Sequence, residues 1–237
     1  MKAVVLAAGK GTRLGSVTAM LPKPLLPVRG RPVIGLVLDL LARNGVGEVF
    51  MNLHHHPDAL RDYCGDGGRW GLRITYAVER ELLGTAGTVR SFARYLAESP
   101  FFVVYGDNYF ECALAALQEF HEQRKGVATI ALFEKEDVTG SGIVQVDAEG
   151  RVLRFVEKPP PSETFGRLVN GGLYILSPAI LPLIPDRVPC DFGYHVFPAL
   201  LASGQPIYGR VMEGGVWPID TPDLYRKLRE RMGDEPA

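Results

Sequence analysis

The first candidate for chemistry is a glycine-rich stretch near the amino terminus, LAAGKGTRL at residues 6–14. It ends an apolar run that predicts a buried strand, and ligands of open α/β sheets bind beyond the carboxyl ends of strands. Glycine lets backbone N–H groups approach a phosphate closely, and Arg13 adds a positive charge. The spacing fits neither a dinucleotide fingerprint, which would need glycine at Leu14, nor a P-loop. The residues alone leave two interpretations, a phosphate-binding turn or an ordinary turn with a surface arginine.

A second candidate, Pro22-Lys23-Pro24, places one lysine between two prolines. Because both prolines restrict the backbone, Lys23 can serve as a fixed point charge for a phosphate. The alternative is a rigid surface loop with a solvated lysine. The pair of motifs, LAAGKGTRL and then PKPLLPV about ten residues on, is far more specific than either one alone.

Together the two motifs resemble those of the sugar-1-phosphate nucleotidylyltransferases, the nucleoside-diphosphate-sugar pyrophosphorylases. The family usually has Pro-Leu-Thr shortly after the arginine, where this chain has Gly15-Ser16-Val17-Thr18. This departure concerns the shape of the loop rather than its cations. Five further segments resemble family motifs, in the family's order and over nearly the whole chain. They are ELLGTAG (81–87), YGD (105–107), VEKP (156–159), NGG (170–172) and WPIDTP (217–222).

The resemblance implies a role for individual residues. The catalytic residues would be Arg13, Lys23, Asp107 and Asp220, and the two aspartates would hold Mg²⁺. The nucleotide would contact Leu6, Ala8, Gly9, Gly11, Thr12, Arg13, Glu79, Gly84, Thr85 and Ala86. The sugar phosphate would contact Glu157, Lys158, Asn170 and Gly171.

Each match also has a plain structural explanation when it is taken singly. Asp107 could cap a following helix, and Asp220 precedes a good helix start with proline in the first turn. Glu157 and Lys158 could be an exposed ion pair, and Asn170 could belong to a simple turn. His121 and His195 lie in helical patterns and are predicted to be structural. The joint order of the segments favours the functional interpretation.

The implied reaction joins a nucleoside triphosphate and a sugar 1-phosphate, with release of pyrophosphate. Residues 79–87 and Asp191-Phe192-Gly193 look most like short mannose-1-phosphate and heptose-1-phosphate guanylyltransferases, which implies GTP. One alternative is a uridylyl- or thymidylyltransferase acting on glucose-type or N-acetylmuramate 1-phosphate. Others are a cytidylyltransferase acting on a non-sugar phosphate and a catalytically dead regulatory homologue. A homodimer is expected at the family level, whereas an effector cannot be read from the residues.

The elements that must position these residues alternate between apolar strands and helices of 10–15 residues. This pattern predicts a mostly parallel mixed sheet covered by helices on both faces, a three-layer α/β/α fold. The resemblance implies that the fold is Rossmann-like, of the glycosyltransferase-A type, without the β-helix domain of many relatives. We expect one domain over 1–237, with a nucleotide-binding half at 1–138 and a sugar-phosphate-binding half at 139–237. The predicted antiparallel hairpin after residue 139 marks the change.

Composition excludes several other classes. The 237 residues carry 26 Lys and Arg against 27 Asp and Glu, a balance that argues against a nucleic-acid binder. No apolar run is long enough for a membrane-spanning helix, and the start lacks the pattern of a signal peptide. Three separated cysteines indicate neither a disulfide framework nor a zinc site, so a cytoplasmic location is expected.

Overall fold

A computed structural model describes residues 1–9, 11–18 and 21–234 of the chain. Lys10, in the predicted phosphate loop, lies outside the described residues. The fold is a mixed, mostly parallel sheet flanked by helices, which confirms the predicted class. By compactness the chain divides into unit 1 (Met1–Leu82, Val104–Phe110 and Val216–Ala237) and unit 2 (Leu83–Val103 and Glu111–Gly215). These ranges are interleaved along the chain, whereas the predicted halves are consecutive, and the binding assignments of those halves remain predictions.

The strands of the described residues are short, from two to nine residues each. They are β1 (Lys2–Leu6), β2 (Pro27–Val28), β3 (Arg31–Pro32), β4 (Glu48–Leu53), β5 (Arg73–Val78), β6 (Phe101–Tyr105), β7 (Asn108–Glu111), β8 (Ala128–Glu134), β9 (Gly142–Val146), β10 (Val152–Glu157), β11 (Leu168–Leu176), β12 (Ile207–Val211) and β13 (Gly215–Pro218).

The α-helices fall between these strands. They are α1 (Val33–Arg43), α2 (Pro57–Cys64), α3 (Thr85–Ser91), α4 (Ala93–Leu96), α5 (Leu114–Arg124), α6 (Phe197–Ala202) and α7 (Pro222–Arg231). A π-helical turn, Phe192–Val196, leads directly into α6. Among the described residues, none of the helices combines the length and apolar character that crossing a membrane requires.

In unit 1 the strands β1, β4 and β5 run parallel to one another. Leu6 pairs with Asn52, and Leu53 pairs with Val78, so the three strands end at the same edge. β1 is almost entirely buried, as expected for a parallel strand covered on both faces. The glycine-rich loop therefore begins at the edge of the sheet where ligands of α/β proteins bind.

A second, two-stranded sheet pairs β7 with β13, and the sequence pattern did not predict either strand. Each has only four residues, too few for a periodicity to be recognised. Asp107 comes directly before β7, and Asp220 follows β13 by two residues. The Ile219 amide also donates to the Asp107 carbonyl oxygen, at 3.4 Å. This small sheet therefore brings two aspartates together that are 113 positions apart in the sequence.

In unit 2 the predicted hairpin is present as the antiparallel pair β9 and β10. β11 pairs antiparallel with both β8 and β9, while β12 joins β8 in parallel. The helical residues over 85–96 are divided at Phe92 into α3 and α4. Pro178–Leu183 is a 3-10 turn with Pro182 inside it. Proline removes a backbone donor, which explains why a regular α-helix does not form there.

Candidate active site

Lys23 is a buried lysine, only 5% exposed, in a 3-10 turn at Lys23–Leu25. Pro22 is extended and its carbonyl oxygen accepts the Leu25 amide at 2.8 Å, which fixes the turn. The Lys23 Nζ lies 2.5 Å from Asp107 Oδ2 and also hydrogen-bonds Asp220 Oδ1. The alternative of a solvated surface lysine is therefore wrong, because the ammonium group lies between two carboxylates.

Asp107 owes its position to the glycine that precedes it. The Gly106 amide donates to the Leu6 carbonyl oxygen at 2.9 Å, next to the end of β1. A Cβ at Gly106 would come within 3.1 Å of both Ile34 and Val5, so a side chain would press on the core. Because β7 rather than a helix follows, Asp107 does not cap a helix.

Asp220 does not cap a helix either, because the next residue does. The Thr221 hydroxyl accepts the Leu224 amide at 3.3 Å and is the N-cap of α7. The Asp220 carboxylate contacts Lys23 through Oδ1 and Arg13 Nη2 through Oδ2, the latter at 3.1 Å. The Arg13 side chain is 59% exposed. We call Arg13, Lys23, Asp107 and Asp220 the charge cluster.

The charge cluster contains two cations and two carboxylates that offset each other. Burial disfavours the charged ammonium of Lys23, yet the attraction of Asp107 and Asp220 outweighs burial and raises its pKa. Both carboxylates meet the same cationic group, so their oxygens converge on one point. Such paired carboxylates suit Mg²⁺, which takes one or two protein carboxylates and completes its shell with phosphate oxygens and water. Within the described part of the chain, no set of three or more His, Cys, Asp or Glu side chains could hold a metal.

The glycine-rich loop is anchored by a buried side chain that the sequence analysis did not identify, Asn52. Its Oδ1 accepts the Ala7 amide at 2.8 Å, and its Nδ2 donates to Glu79 Oε1 at 2.8 Å. A polar residue inside the apolar strand EVFMNL was the available signal. Glu79, predicted to contact the nucleotide, is only 6% exposed at the end of β5 and supports Asn52.

The other predicted residues of the loop follow β1 directly. Leu6 and Ala8 are buried, whereas Gly9 and Thr12 are exposed. Gly11 has φ +63°, a conformation that favours glycine, and its carbonyl oxygen accepts the Leu14 amide at 3.0 Å. The structure thus places this loop and the charge cluster in the same unit.

The predicted nucleotide-binding residues Gly84, Thr85 and Ala86 lie in unit 2 at the start of α3. Gly84 has φ +80°, and a Cβ there would come 2.5 Å from the Cys190 carbonyl oxygen. Ala86 donates its amide to that same oxygen at 2.9 Å. The glycine at position 84 is therefore explained by packing against the backbone of Cys190.

Glu157 and Lys158 differ in exposure, because Lys158 is exposed and Glu157 is mostly buried. The Glu157 side chain is 14% exposed, and its Oε1 lies 3.7 Å from Lys158 Nζ. Its Oε2 is buried and has no hydrogen-bond partner, alone among the described buried side-chain polar atoms. Burial raises the pKa of this carboxyl, an effect that Lys158 opposes and nearby Asp191 reinforces. Lys158 has φ +48°, a left-handed conformation that is uncommon for a residue with a side chain and costs free energy.

Asn170 and Gly171 lie within β11 and do not form a simple turn. Asn170 donates from Nδ2 to the Tyr174 hydroxyl at 2.9 Å and accepts the Gly172 amide at 3.0 Å. The pairing of β11 with β8 is irregular between Asn170 and Tyr174, which marks a bulge. A Cβ at Gly171 would overlap the Phe133 ring, so packing alone requires glycine there.

The unit 1 arrangement combines the groups that suit phosphate binding in an α/β fold. Cations and paired carboxylates lie beside a glycine-rich loop at the carboxyl ends of parallel strands. The chain belongs to the nucleotidyl transferase family, whose model matches residues 2–221. This confirms the family resemblance.

Similar proteins include transferases for different bases. The chain is 33% identical to a UTP–glucose-1-phosphate uridylyltransferase of Synechocystis sp., over 97% of this chain and 63% of the relative. It is 36% identical to a mannose-1-phosphate guanylyltransferase of Mycobacterium tuberculosis, over 88% of this chain and 58% of the relative. The chain thus spans about 60% of the length of these relatives.

A solved structure of similar fold is HddC from Yersinia pseudotuberculosis in complex with GMP-PN. It superposes with a TM-score of 0.80 at 26% identity and covers 97% of this chain and 98% of that one.

Proposed function

We propose that the protein catalyses Mg²⁺-dependent transfer of a nucleotidyl group from a nucleoside triphosphate to a sugar 1-phosphate. An oxygen of the sugar phosphate attacks the α-phosphorus, the bond from that phosphorus to the β-phosphate oxygen breaks, and pyrophosphate leaves. The observation that carries this proposal is the charge cluster beside the glycine-rich loop in a chain of this family. The names of the relatives support a sugar 1-phosphate as the acceptor.

The residues of unit 1 would act mainly by offsetting charge. A sugar phosphate carries negative charge toward a triphosphate that is itself anionic, so catalysis depends on positioning and neutralisation. Backbone amides near Gly9 and Gly11, together with Arg13, would bind the phosphates that leave. Lys23 would stabilise charge that develops at the α-phosphate. Mg²⁺ on Asp107 and Asp220 would supply further neutralisation of the phosphate oxygens.

The residues of unit 2 would bind the sugar phosphate. Lys158, with a side chain 46% exposed, would hold the incoming phosphate. The unpartnered Oε2 of Glu157 would accept a hydrogen bond from a sugar hydroxyl, which gives a buried acceptor its missing partner. Asn170 would contribute further polar contacts to the sugar.

For the base, we propose GTP, with a mannose- or heptose-type sugar. The guanylyltransferase relative at 36% identity and the structural neighbour solved with GMP-PN support this choice. UTP with a glucose-type sugar is the second candidate, because the Synechocystis uridylyltransferase matches 97% of the chain. The cytoplasmic location and a homodimer stay predictions.

One experiment tests the reaction and the substrates together. The protein is incubated with Mg²⁺, each of five nucleoside triphosphates and a panel of sugar 1-phosphates, and pyrophosphate release is measured. We expect the fastest release with GTP and mannose- or heptose-type 1-phosphates. Activity confined to UTP would support the second candidate. Activity only with a non-sugar phosphate such as phosphocholine, or none at all, would contradict the proposal.

A further inference from the structure

The segment Cys190–Gly193 contacts two separate groups of predicted binding residues within unit 2. On one side it is hydrogen-bonded to residues 83–87, at the start of α3. On the other side it packs against the carboxylate of Glu157. None of the predicted roles covers this segment, and its contacts carry the inference.

The first group of contacts replaces the missing cap of α3. Gly84 is at the N-cap position and has no side chain to accept the orphan amides of the first turn. The Thr85 amide and hydroxyl instead donate to Asp191 Oδ1, at 3.0 and 3.3 Å. In return, the Thr85 Oγ1 accepts the Phe192 amide at 2.9 Å. Asp191 therefore caps α3 from a distance of 106 residues along the chain.

Backbone contacts of Cys190 complete this attachment. Its carbonyl oxygen accepts the amides of Ala86 and Gly87, at 2.9 and 3.0 Å, and its own amide donates to Leu83 at 2.8 Å. The segment is itself held by the π-helical turn that follows. His195 accepts the Asp191 amide on Nδ1 at 2.9 Å and donates its own amide to the Asp191 carbonyl oxygen at 3.0 Å. Turns of the π type are frequent at functional sites.

The second contact fixes the carboxylate of Glu157 between two glycines. A Cβ at Gly193 would overlap Oε2 and come 2.7 Å from Cδ of Glu157. A Cβ at Gly142, which pairs with Glu157 between β9 and β10, would come 2.5 Å from the same Oε2. Any side chain at position 193 would therefore displace the carboxylate oxygen that lacks a protein partner.

We propose that Cys190–Gly193 is a positioning segment with two separable tasks: Asp191 sets the nucleotide-binding residues 84–86, and Gly193 sets the carboxylate of Glu157 for the sugar. This inference rests on the proposed function for the identity of the two substrates. It predicts that substitutions two positions apart affect the Michaelis constants of different substrates.

The Gly193 task is tested with Gly193→Ala. We expect the KM for the sugar 1-phosphate to rise about tenfold, the loss typical of a misplaced charged hydrogen-bond acceptor, while the KM for the nucleotide changes less than about twofold. Gly166→Ala is the matched control, because a Cβ at Gly166 would meet no atom within 4 Å and its φ is not left-handed. In a Glu157→Ala background, Gly193→Ala should have no further effect on KM or on the urea midpoint. If Gly193→Ala has the same effect in the Glu157→Ala background as in the wild type, Gly193 does not act through Glu157 and the assignment is overturned.

The Asp191 task is tested with a conservative pair of variants. Asp191→Ala removes the acceptor for Thr85, so we expect faster hydrogen exchange of the amides at 85–87 and an increase of about tenfold in the nucleotide KM. Asp191→Asn keeps an acceptor oxygen. It should restore most of the exchange protection at 85–87 and bring the nucleotide KM close to the wild-type value. Asp186→Ala is the control, because it removes an exposed ion-pair partner of Arg90, which lies on α3. It should change neither the hydrogen exchange at 85–87 nor the nucleotide KM.

The outcomes separate this inference from the proposed function. If the wild-type protein shows no transfer in the substrate matrix, the proposed function fails. Amide hydrogen exchange, and urea unfolding of the Gly193→Ala and Glu157→Ala single and double variants, then still test the contacts of the segment. If the wild type is active but Gly193→Ala and Asp191→Ala raise both Michaelis constants equally, the segment is merely structural and the inference fails. The same holds if Asp191→Asn behaves like Asp191→Ala.

Discussion

The two units provide different partners for their partly buried carboxylates. In unit 1, Asp107 and Asp220 both meet Lys23, and Asp220 also meets Arg13, so the charges of the cluster offset each other. In unit 2, Glu157 has one cation 3.7 Å from Oε1 and no partner for Oε2. In the first arrangement each carboxylate has a cationic partner, whereas the second leaves a buried acceptor that costs free energy.

The difference indicates two kinds of binding site. The charge cluster presents a fixed electrostatic environment, as expected where charge develops during a reaction. Glu157 instead presents one unsatisfied acceptor, as expected where a neutral hydroxyl must be recognised by a hydrogen bond. Three substitutions test this comparison, ordered here from the largest expected effect to the smallest.

Replacing Lys23 should have the largest effect, because it removes the central cation of the cluster. We expect Lys23→Ala to reduce turnover by at least about a hundredfold in a pyrophosphate-release assay. Urea unfolding should show a loss of roughly 1–3 kcal/mol, since Asp107 and Asp220 are partly buried and lose the cation that lies between them. Lys227→Ala, an exposed lysine on α7, is the control and should stay near the wild-type rate. Near-wild-type turnover of Lys23→Ala would contradict the role of the cluster.

Replacing Asp107 separates metal binding from simple charge balance. Asp107→Asn should lower turnover at least about a hundredfold and raise the Mg²⁺ concentration needed for half-maximal rate. Direct Mg²⁺ binding, followed by calorimetry in the presence of nucleotide, should weaken in parallel. The control is Asp223→Asn, whose side chain is 80% exposed and pairs with Arg226. An unchanged Mg²⁺ dependence would show that Asp107 does not hold the metal.

Replacing Glu157 should give the smallest effect on turnover and an opposite effect on stability. Its pKa is raised in the folded state, chiefly by burial, so folding favours the protonated carboxyl. Stability from this group is therefore present at low pH and is lost as the pH rises from the ordinary pKa through the raised one. Glu157→Gln should thus unfold at higher urea than the wild type at pH 7, and the difference should shrink toward pH 4.

The same variant should bind the sugar phosphate more weakly, because the amide replaces one carboxylate oxygen. Glu163→Gln, at an exposed position in the following loop, serves as the control for both measurements. If the urea midpoint of Glu157→Gln differs from that of the wild type by the same amount at pH 7 and at pH 4, the contrast between the two units is contradicted.

Much of the fold was predictable because buried strands and amphipathic helices leave clear periodicities. The buried strand before the glycine-rich loop and the antiparallel hairpin after residue 139 lie where the pattern predicts them, as β1 and as β9 with β10. The pattern missed β7 and β13, which have four residues each, and the π-helical turn before α6. Short pairings and irregular turns depend on distant partners, so a local window carries little information about them.

The sequence by itself determined the fold class, the family and which residue types carry chemistry, because glycine loops, prolines and charged residues occur at recognisable spacings. Only the tertiary structure decided that Lys23 is buried between Asp107 and Asp220, and that Asn52 supports the glycine-rich loop. It also decided that Gly193 and Gly142 enclose the carboxylate of Glu157. These contacts join residues from 15 to 197 positions apart. Their burial and hydrogen bonding arise from packing across the whole chain, which no local pattern specifies.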